Sequence, residues 1–175
     1  MDAKWSVLGV ITDHLGTLVN RRTRSWMLRD YAAFFAFPVG AGIGVFLLEV
    51  QIANAQNLIA GVSVFTALLF GLLVHVFGLG LRVSTERSGE GASRTTTMVD
   101  QLHANVAYAT LVSLVMTAGL MALIVVYDQE EVPGWASAVV VTVLAHLFMT
   151  LLMVLKRMRS MYAQLRRFAP FTDKG

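Results

Sequence analysis

Long stretches without a charged residue dominate the chain. Asp, Glu, Lys and Arg are absent from four segments of 18, 32, 27 and 24 residues, at 31–48, 50–81, 101–127 and 132–155. About 20 apolar residues of helix cross the hydrocarbon core of a bilayer. The pattern therefore predicts an all-α integral membrane protein with four transmembrane helices, at about 28–50, 57–82, 98–127 and 134–157.

The four helices belong to one domain, 28–157, and three short segments precede, connect or follow them. In residues 1–27, apolar side chains such as Leu8, Ile11 and Leu15 recur at mostly helical spacing, which predicts an amphipathic helix lying on the membrane surface; a frayed tail is the alternative. Residues 83–97 are rich in Ser, Thr and Gly, which is typical of a flexible loop. The last helix is expected to continue as a basic helix into the tail, 158–175.

The distribution of basic residues predicts the orientation of the helices. All 14 Lys and Arg fall within 1–30, 82–97 and 156–175, and none lies in the connections at 49–57 and 128–134. Short loops rich in Lys and Arg remain cytoplasmic, so both ends and the middle loop are expected to be cytoplasmic. Arg outnumbers Lys by 11 to 3, which favours a bacterial source and hence the inner membrane.

The basic character, with a pI near 9.6, is attributed to contact with anionic lipid headgroups rather than with nucleic acid. The residues expected to make that contact are Lys156, Arg157, Arg159, Arg166 and Arg167.

Composition also limits the chemistry. Cysteine is absent, which excludes disulfides and thiolate metal sites, and only 14% of residues are charged against about 25% in soluble domains. No glycine-rich phosphate loop, paired carboxylates or serine with an activating histidine and acid can be found. We therefore expect a protein that is not an enzyme.

Two histidines lie inside the predicted spans at corresponding positions. A shift of 71 residues aligns 73–77 with 144–148, with three of five residues identical, and superimposes His75 on His146. This match predicts two parallel hairpin repeats, although chance in a Leu- and Ala-rich chain could also produce it. At 1.5 Å per residue, His75 lies about 10 Å and His146 about 15 Å from the inner charged ends of their helices. Ionisable residues at such depths are candidates for function, whereas His14 and His103 are expected to lie outside the core.

Small residues recur on the first two predicted helices. They are expected to allow close helix packing, either between copies of the chain or within one bundle, at Ala36, Gly40 and Gly44 and at Ala67, Gly71 and Gly78.

Four functional hypotheses follow. The first is an oligomeric subunit, channel-like or a sensor or anchor for a soluble cytoplasmic partner, in which the histidines are structural and no cofactor is bound. The second is a proton or ion channel that uses His75 and His146. The third is a pore-forming lysis or phage-defence protein, and the fourth is an electron carrier with one b-type haem held by the same two histidines. In the channel, water would be held by the hydroxyls of Thr110, Ser113, Thr117, Thr142 and Thr150.

Overall fold

The computed structural model describes residues 7–18, 26–86, 90–127 and 132–168. In these ranges the chain forms five helices: α1 (Val7–Leu18), α2 (Trp26–Leu47), α3 (Ala55–Glu86), α4 (Glu90–Tyr127) and α5 (Gly134–Phe168).

Three of the described helices are long and apolar enough to cross a membrane. The corresponding segments are Ala55–Val83 in α3, Thr96–Tyr127 in α4 and Gly134–Arg159 in α5. In α2 the described apolar segment, Phe34–Leu47, is shorter. The helical class predicted from the sequence is thus confirmed, and three of the four predicted spans correspond to helices that could cross a membrane. A fourth crossing and the hairpin repeat stay predictions.

Two helices extend beyond the limits set by hydropathy. α3 continues to Glu86 and α4 begins at Glu90, so most of the loop predicted at 83–97 is helical. The difference arises because a drop in hydropathy marks where a helix leaves the hydrocarbon, whereas its backbone hydrogen bonds continue in water. α5 also continues past its apolar part, to Phe168, in line with the predicted basic extension.

The helices pack mainly as two pairs, α3 with α4 and α2 with α5. α4 also contacts α5, and α1 packs against α4. Side chains from α3, α4 and α5 meet in shared apolar clusters, one of which joins Val76, Val106 and Val154. These three helices therefore form the central layer, with α1 and α2 added at its side.

The two turns at one end of the bundle are joined by hydrogen bonds. The backbone N–H of Val132 donates to the carbonyl of Ile52 at 3.2 Å. Ser137, which is buried, accepts from the N–H of Ile52 at 3.1 Å and donates to the carbonyl of Val132 at 3.0 Å. At the other end lie Arg82, Lys156 and Arg157, and this end is named the basic end.

Close packing of α2 against α5 depends on Gly42. A Cβ on Gly42 would overlap Oγ1 of Thr142 and lie 3.0 Å from the carbonyl oxygen of Ala138. Thr142 has little freedom to move away, since its hydroxyl donates to that same carbonyl at 2.8 Å. Only glycine fits this contact without a shift of one helix.

The small-residue series predicted for this helix lies elsewhere. Ala36 and Gly40 are exposed, and a Cβ on Gly40 or Gly44 would meet nothing within 4 Å. Packing of this series inside the bundle is not observed, because its spacing of four places it on a different face from Gly42. A role between copies of the chain stays a prediction.

We expect Gly42→Ala to lower the free energy of unfolding by about 1–3 kcal/mol, since the added methyl group overpacks the α2–α5 contact. The measurement is the reversible unfolding of the purified protein in micelles. Gly40→Ala adds the same methyl group where there is open space, and it should change stability by less than about 0.5 kcal/mol. Equal losses in the two variants would show that Gly42 is not the point of close approach.

Candidate functional site

The two histidines that the sequence singled out do not share a site. His75 is exposed on α3, and it makes no hydrogen bond or ring contact with any residue that the structure describes. His146 is half-buried on α5 and contacts side chains of α2 and α4. The positions aligned by the 71-residue shift therefore have different surroundings.

A third histidine, His14 on α1, is the one that the fold buries. The prediction that His14 lies outside the core is wrong, because its side chain is only 1% exposed. Its Nδ1 donates to Oδ1 of Asn105 at 2.8 Å, and its ring stacks on that of Tyr108 with centroids 3.9 Å apart and planes 4° apart. α1 therefore inserts a ring into the helix bundle, and its contact with a membrane surface stays a prediction.

Tyr108 connects His14 to His146. While its ring stacks on His14, its hydroxyl is hydrogen-bonded to Nε2 of His146 at 2.8 Å. Phe34 of α2 closes the group, with its ring centroid 5.0 Å from His146 and 6.3 Å from His14. His14, Phe34, Asn105, Tyr108 and His146 are together named the histidine cluster, to which α1, α2, α4 and α5 all contribute.

Helical spacing explains why α4 supplies two members of this cluster. Asn105 and Tyr108 are three residues apart and therefore lie on one face of the helix. Sequence reasoning missed both. A usable signal was present, since Asn105 is an amide in a charge-free stretch of 27 residues, near one end of it, and the structure buries it fully. Because a buried amide needs a hydrogen-bond partner, Asn105 was a reason to expect a polar contact at this position of α4.

The surroundings of His14 favour its neutral form. Burial lowers the pKa of His14 to about 4, from an ordinary value of 6.5, although the hydrogen bond to Asn105 raises it in part. His146 and Arg157 on α5 lower the pKa further by charge repulsion. At neutral pH, His14 therefore carries its proton on Nδ1 alone, as the hydrogen bond to Asn105 requires.

The predicted hydroxyl residues mostly bond to the backbone of their own helix. Thr110, Thr117, Thr142 and Thr150 each donate to the carbonyl four residues earlier, at 2.8–3.0 Å. Ser113 instead meets the hydroxyl of Thr66, which links α4 to α3. Each of these hydroxyls therefore has a hydrogen-bond partner within the protein, and these bonds fix the positions of the helices. A channel in which the same hydroxyls hold water stays a prediction.

The basic residues at the end of α5 differ in their surroundings. Lys156 and Arg159 are exposed, whereas Arg157 is half-buried and donates from Nη1 to Oε1 of Gln101 at 3.3 Å. The side chains of Arg166 and Arg167 lie outside the described residues. Contact of these basic residues with lipid headgroups stays a prediction.

The arrangement does not fit a haem between His75 and His146. His146 is packed against Phe34 and Phe35, with ring centroids at 5.0 and 5.6 Å, and its Nε2 is hydrogen-bonded to the hydroxyl of Tyr108. His75, on α3, makes no contact with it. Among the residues that the structure describes, no group of three or more His, Cys, Asp or Glu is placed to hold a metal ion.

Comparison of the chain with protein-family models, with curated proteins and with solved structures finds no match. The function is therefore argued from the histidine cluster itself.

We expect Asn105→Leu to release α1 from the bundle, because it removes the acceptor for a buried N–H of His14, a loss of about 1–3 kcal/mol. The readout is the maleimide labelling rate of a single cysteine introduced as Ile11→Cys, a half-buried position on α1 in a chain without cysteine. The rate should rise roughly tenfold.

Tyr108→Phe is the matched control on the same helix face. It keeps the ring that stacks on His14 and removes only the hydroxyl that bonds to His146, so labelling of the Ile11→Cys cysteine should stay slow. Slow labelling in the Asn105→Leu variant would show that the His14–Asn105 bond does not hold α1 in place.

Proposed function

We propose that this protein is a non-enzymatic sensor subunit of the bacterial inner membrane, in which α1 docks on the helix bundle at neutral pH and is released by acid. The observation that carries the proposal is the burial of His14, a titratable residue, as the polar link between α1 and α4. Released α1 would become available to a soluble cytoplasmic partner.

The orientation proposed for the sensor comes from the charge distribution. α2, α3, α4 and α5 all cross the membrane in this proposal, with α2 using its apolar part from Phe34 to Leu47. The basic end then faces the cytoplasm, where Lys156 and Arg159 contact anionic lipids. The histidine cluster lies toward that end, so the sensor would respond to cytoplasmic pH.

The physical basis is the cost of placing a charge at the position of His14. Protonation would add a second N–H and a positive charge to a ring with almost no exposure to water. The charged and titratable groups facing it are Tyr108 on α4 and His146 and Arg157 on α5; α2 presents the apolar ring of Phe34. Neither His146 nor Arg157 favours a further positive charge, and Asp13 on α1 itself is exposed. The docked form therefore disfavours the protonated ring.

The sign of the pH effect follows from the pKa of His14 in the two states, which is 6.5 when α1 is released and about 4 when α1 is docked. Above pH 6.5 the ring is neutral in docked and released α1, so docking does not depend on pH. Between pH 6.5 and 4 only released α1 takes up the proton, and docking weakens by about 1.4 kcal/mol, or tenfold, for each unit that the pH falls.

The test measures the separation of α1 from the bundle as a function of pH. Spin labels are attached to cysteines introduced as Leu8→Cys on α1 and Leu114→Cys on α4, both at exposed positions, with the protein in nanodiscs. Electron paramagnetic resonance should give one short distance at pH 7.5 and a growing population of longer distances toward pH 4.5. A second pair, Leu114→Cys and Phe148→Cys, should give an unchanged distance, which shows that the bundle itself remains folded.

Two substitutions assign the effect to His14. His14→Phe keeps an aromatic ring for stacking on Tyr108 but cannot titrate, so the distance should no longer depend on pH. His103→Gln removes a half-buried histidine from α4 outside the cluster and should leave the pH dependence intact. The proposal fails if the His14→Phe variant still separates at low pH, or if the unsubstituted chain keeps the short distance throughout.

A further inference from the structure

One face of α3 packs against the bundle and the opposite face is open. Val62, Leu69 and Val76, spaced by seven residues, are buried against α4 and α5. On the other side of the helix, Gly71 is exposed and Val74 is 61% exposed. This open face runs along the membrane-crossing segment Ala55–Val83.

The open face carries a group that lipid does not accommodate well. His75 is exposed there, about 10 Å along the helix from Arg82, and has no partner among the described residues. Ionisable side chains at such depths normally face protein or water, because hydrocarbon offers no hydrogen bond. The exposed series Ala36 and Gly40 on α2 is different, since it is apolar and lipid covers it without cost.

We propose that the open face of α3 binds a second copy of this chain, with the two α3 helices parallel about a twofold axis along the membrane normal. All copies insert with the same orientation, so such an axis brings equal residues together at equal depth. We assign this face to a second copy because the residues on the open face of one α3 complement the residues on the same face of a parallel α3.

The spacing of the residues on the open face, which are exposed apart from the half-buried Gly78, matches a parallel two-helix seam. Spacings of three and four alternate along the open face, as at the a and d positions of a heptad. Glycine and alanine at several of these positions allow the two backbones to approach closely. The seam consists of Val64, Ala67, Gly71, Val74, Gly78 and Leu81.

The residues that flank this seam also fit one another. In a parallel pair, position g of one helix faces position e of the next heptad on the other. Phe70 of one copy then faces His75 of the second copy, and Phe77 faces Arg82. Phe70 and Phe77 are 58% and 56% exposed, and the ring of Phe77 also lies 6.3 Å from that of His103 on α4. The exposed parts of the two rings can cover the imidazole and hold the guanidinium by a cation–π contact. Each polar group on the open face thus meets an aromatic ring of the same face.

This interface uses none of the histidine cluster, so it can be tested apart from the proposed sensor. Gly71→Leu places a bulky side chain in the seam, and a Cβ at that position meets nothing within 4 Å in the chain's own fold. Gly40→Leu is the matched control, at an equally open glycine on α2. Dimer formation is measured by energy transfer between labelled copies in liposomes, and unfolding in micelles checks that both variants fold.

Gly71→Leu should raise the dissociation constant of the dimer at least tenfold with little change in unfolding, and Gly40→Leu should leave the dimer unchanged. As a second measurement, a cysteine introduced as Val74→Cys should form an intermolecular disulfide on oxidation, whereas Leu114→Cys and Phe148→Cys, equally exposed on α4 and α5, should not. A monomeric parent chain in liposomes, dissociation by Gly40→Leu rather than Gly71→Leu, or cross-linking at all three positions would each overturn the proposal.

Discussion

A polar group that enters the hydrocarbon costs free energy unless it finds a hydrogen-bond partner within the protein. The backbone meets this requirement by forming helices. Side chains find such partners in two ways: Thr110 and Thr150 bond to carbonyls of their own helix, whereas Asn105, Tyr108 and His146 form bonds between helices or to His14. The second group holds particular helices together, and so the position of α1 depends on it.

His14 shows how one buried polar contact can both determine a structure and make it responsive. Its ring provides stacking area against Tyr108 and a hydrogen bond to Asn105, which an apolar side chain would supply only in part. The same burial makes the contact sensitive to protonation, because a charge has little access to water there. His75, exposed on α3, has no comparable contact among the described residues of one chain, and its proposed partner is an aromatic ring of a second copy.

The features predicted well from the sequence were those that depend on hydropathy. Charge-free stretches identified the apolar parts of α3, α4 and α5, since transfer of apolar side chains into hydrocarbon depends on composition rather than on neighbours. The same reasoning misplaced the helix ends around residues 83–97, where backbone hydrogen bonding continues after hydropathy falls. It also chose Gly40 over Gly42, because a small-residue spacing of four describes a helix face but does not say which face meets the neighbouring helix.

The sequence alone determined that this is a helical membrane protein with its basic residues confined to particular segments, because hydropathy and charge are properties of single residues and short windows. The tertiary structure decided which histidines lie in the same cluster. His14 and His146 are more than 100 residues apart, and Tyr108 brings them into one cluster only when α1, α4 and α5 are packed together. Contacts across such sequence separations depend on how helix faces pack against each other. The local sequence patterns of this chain did not predict which faces pack together.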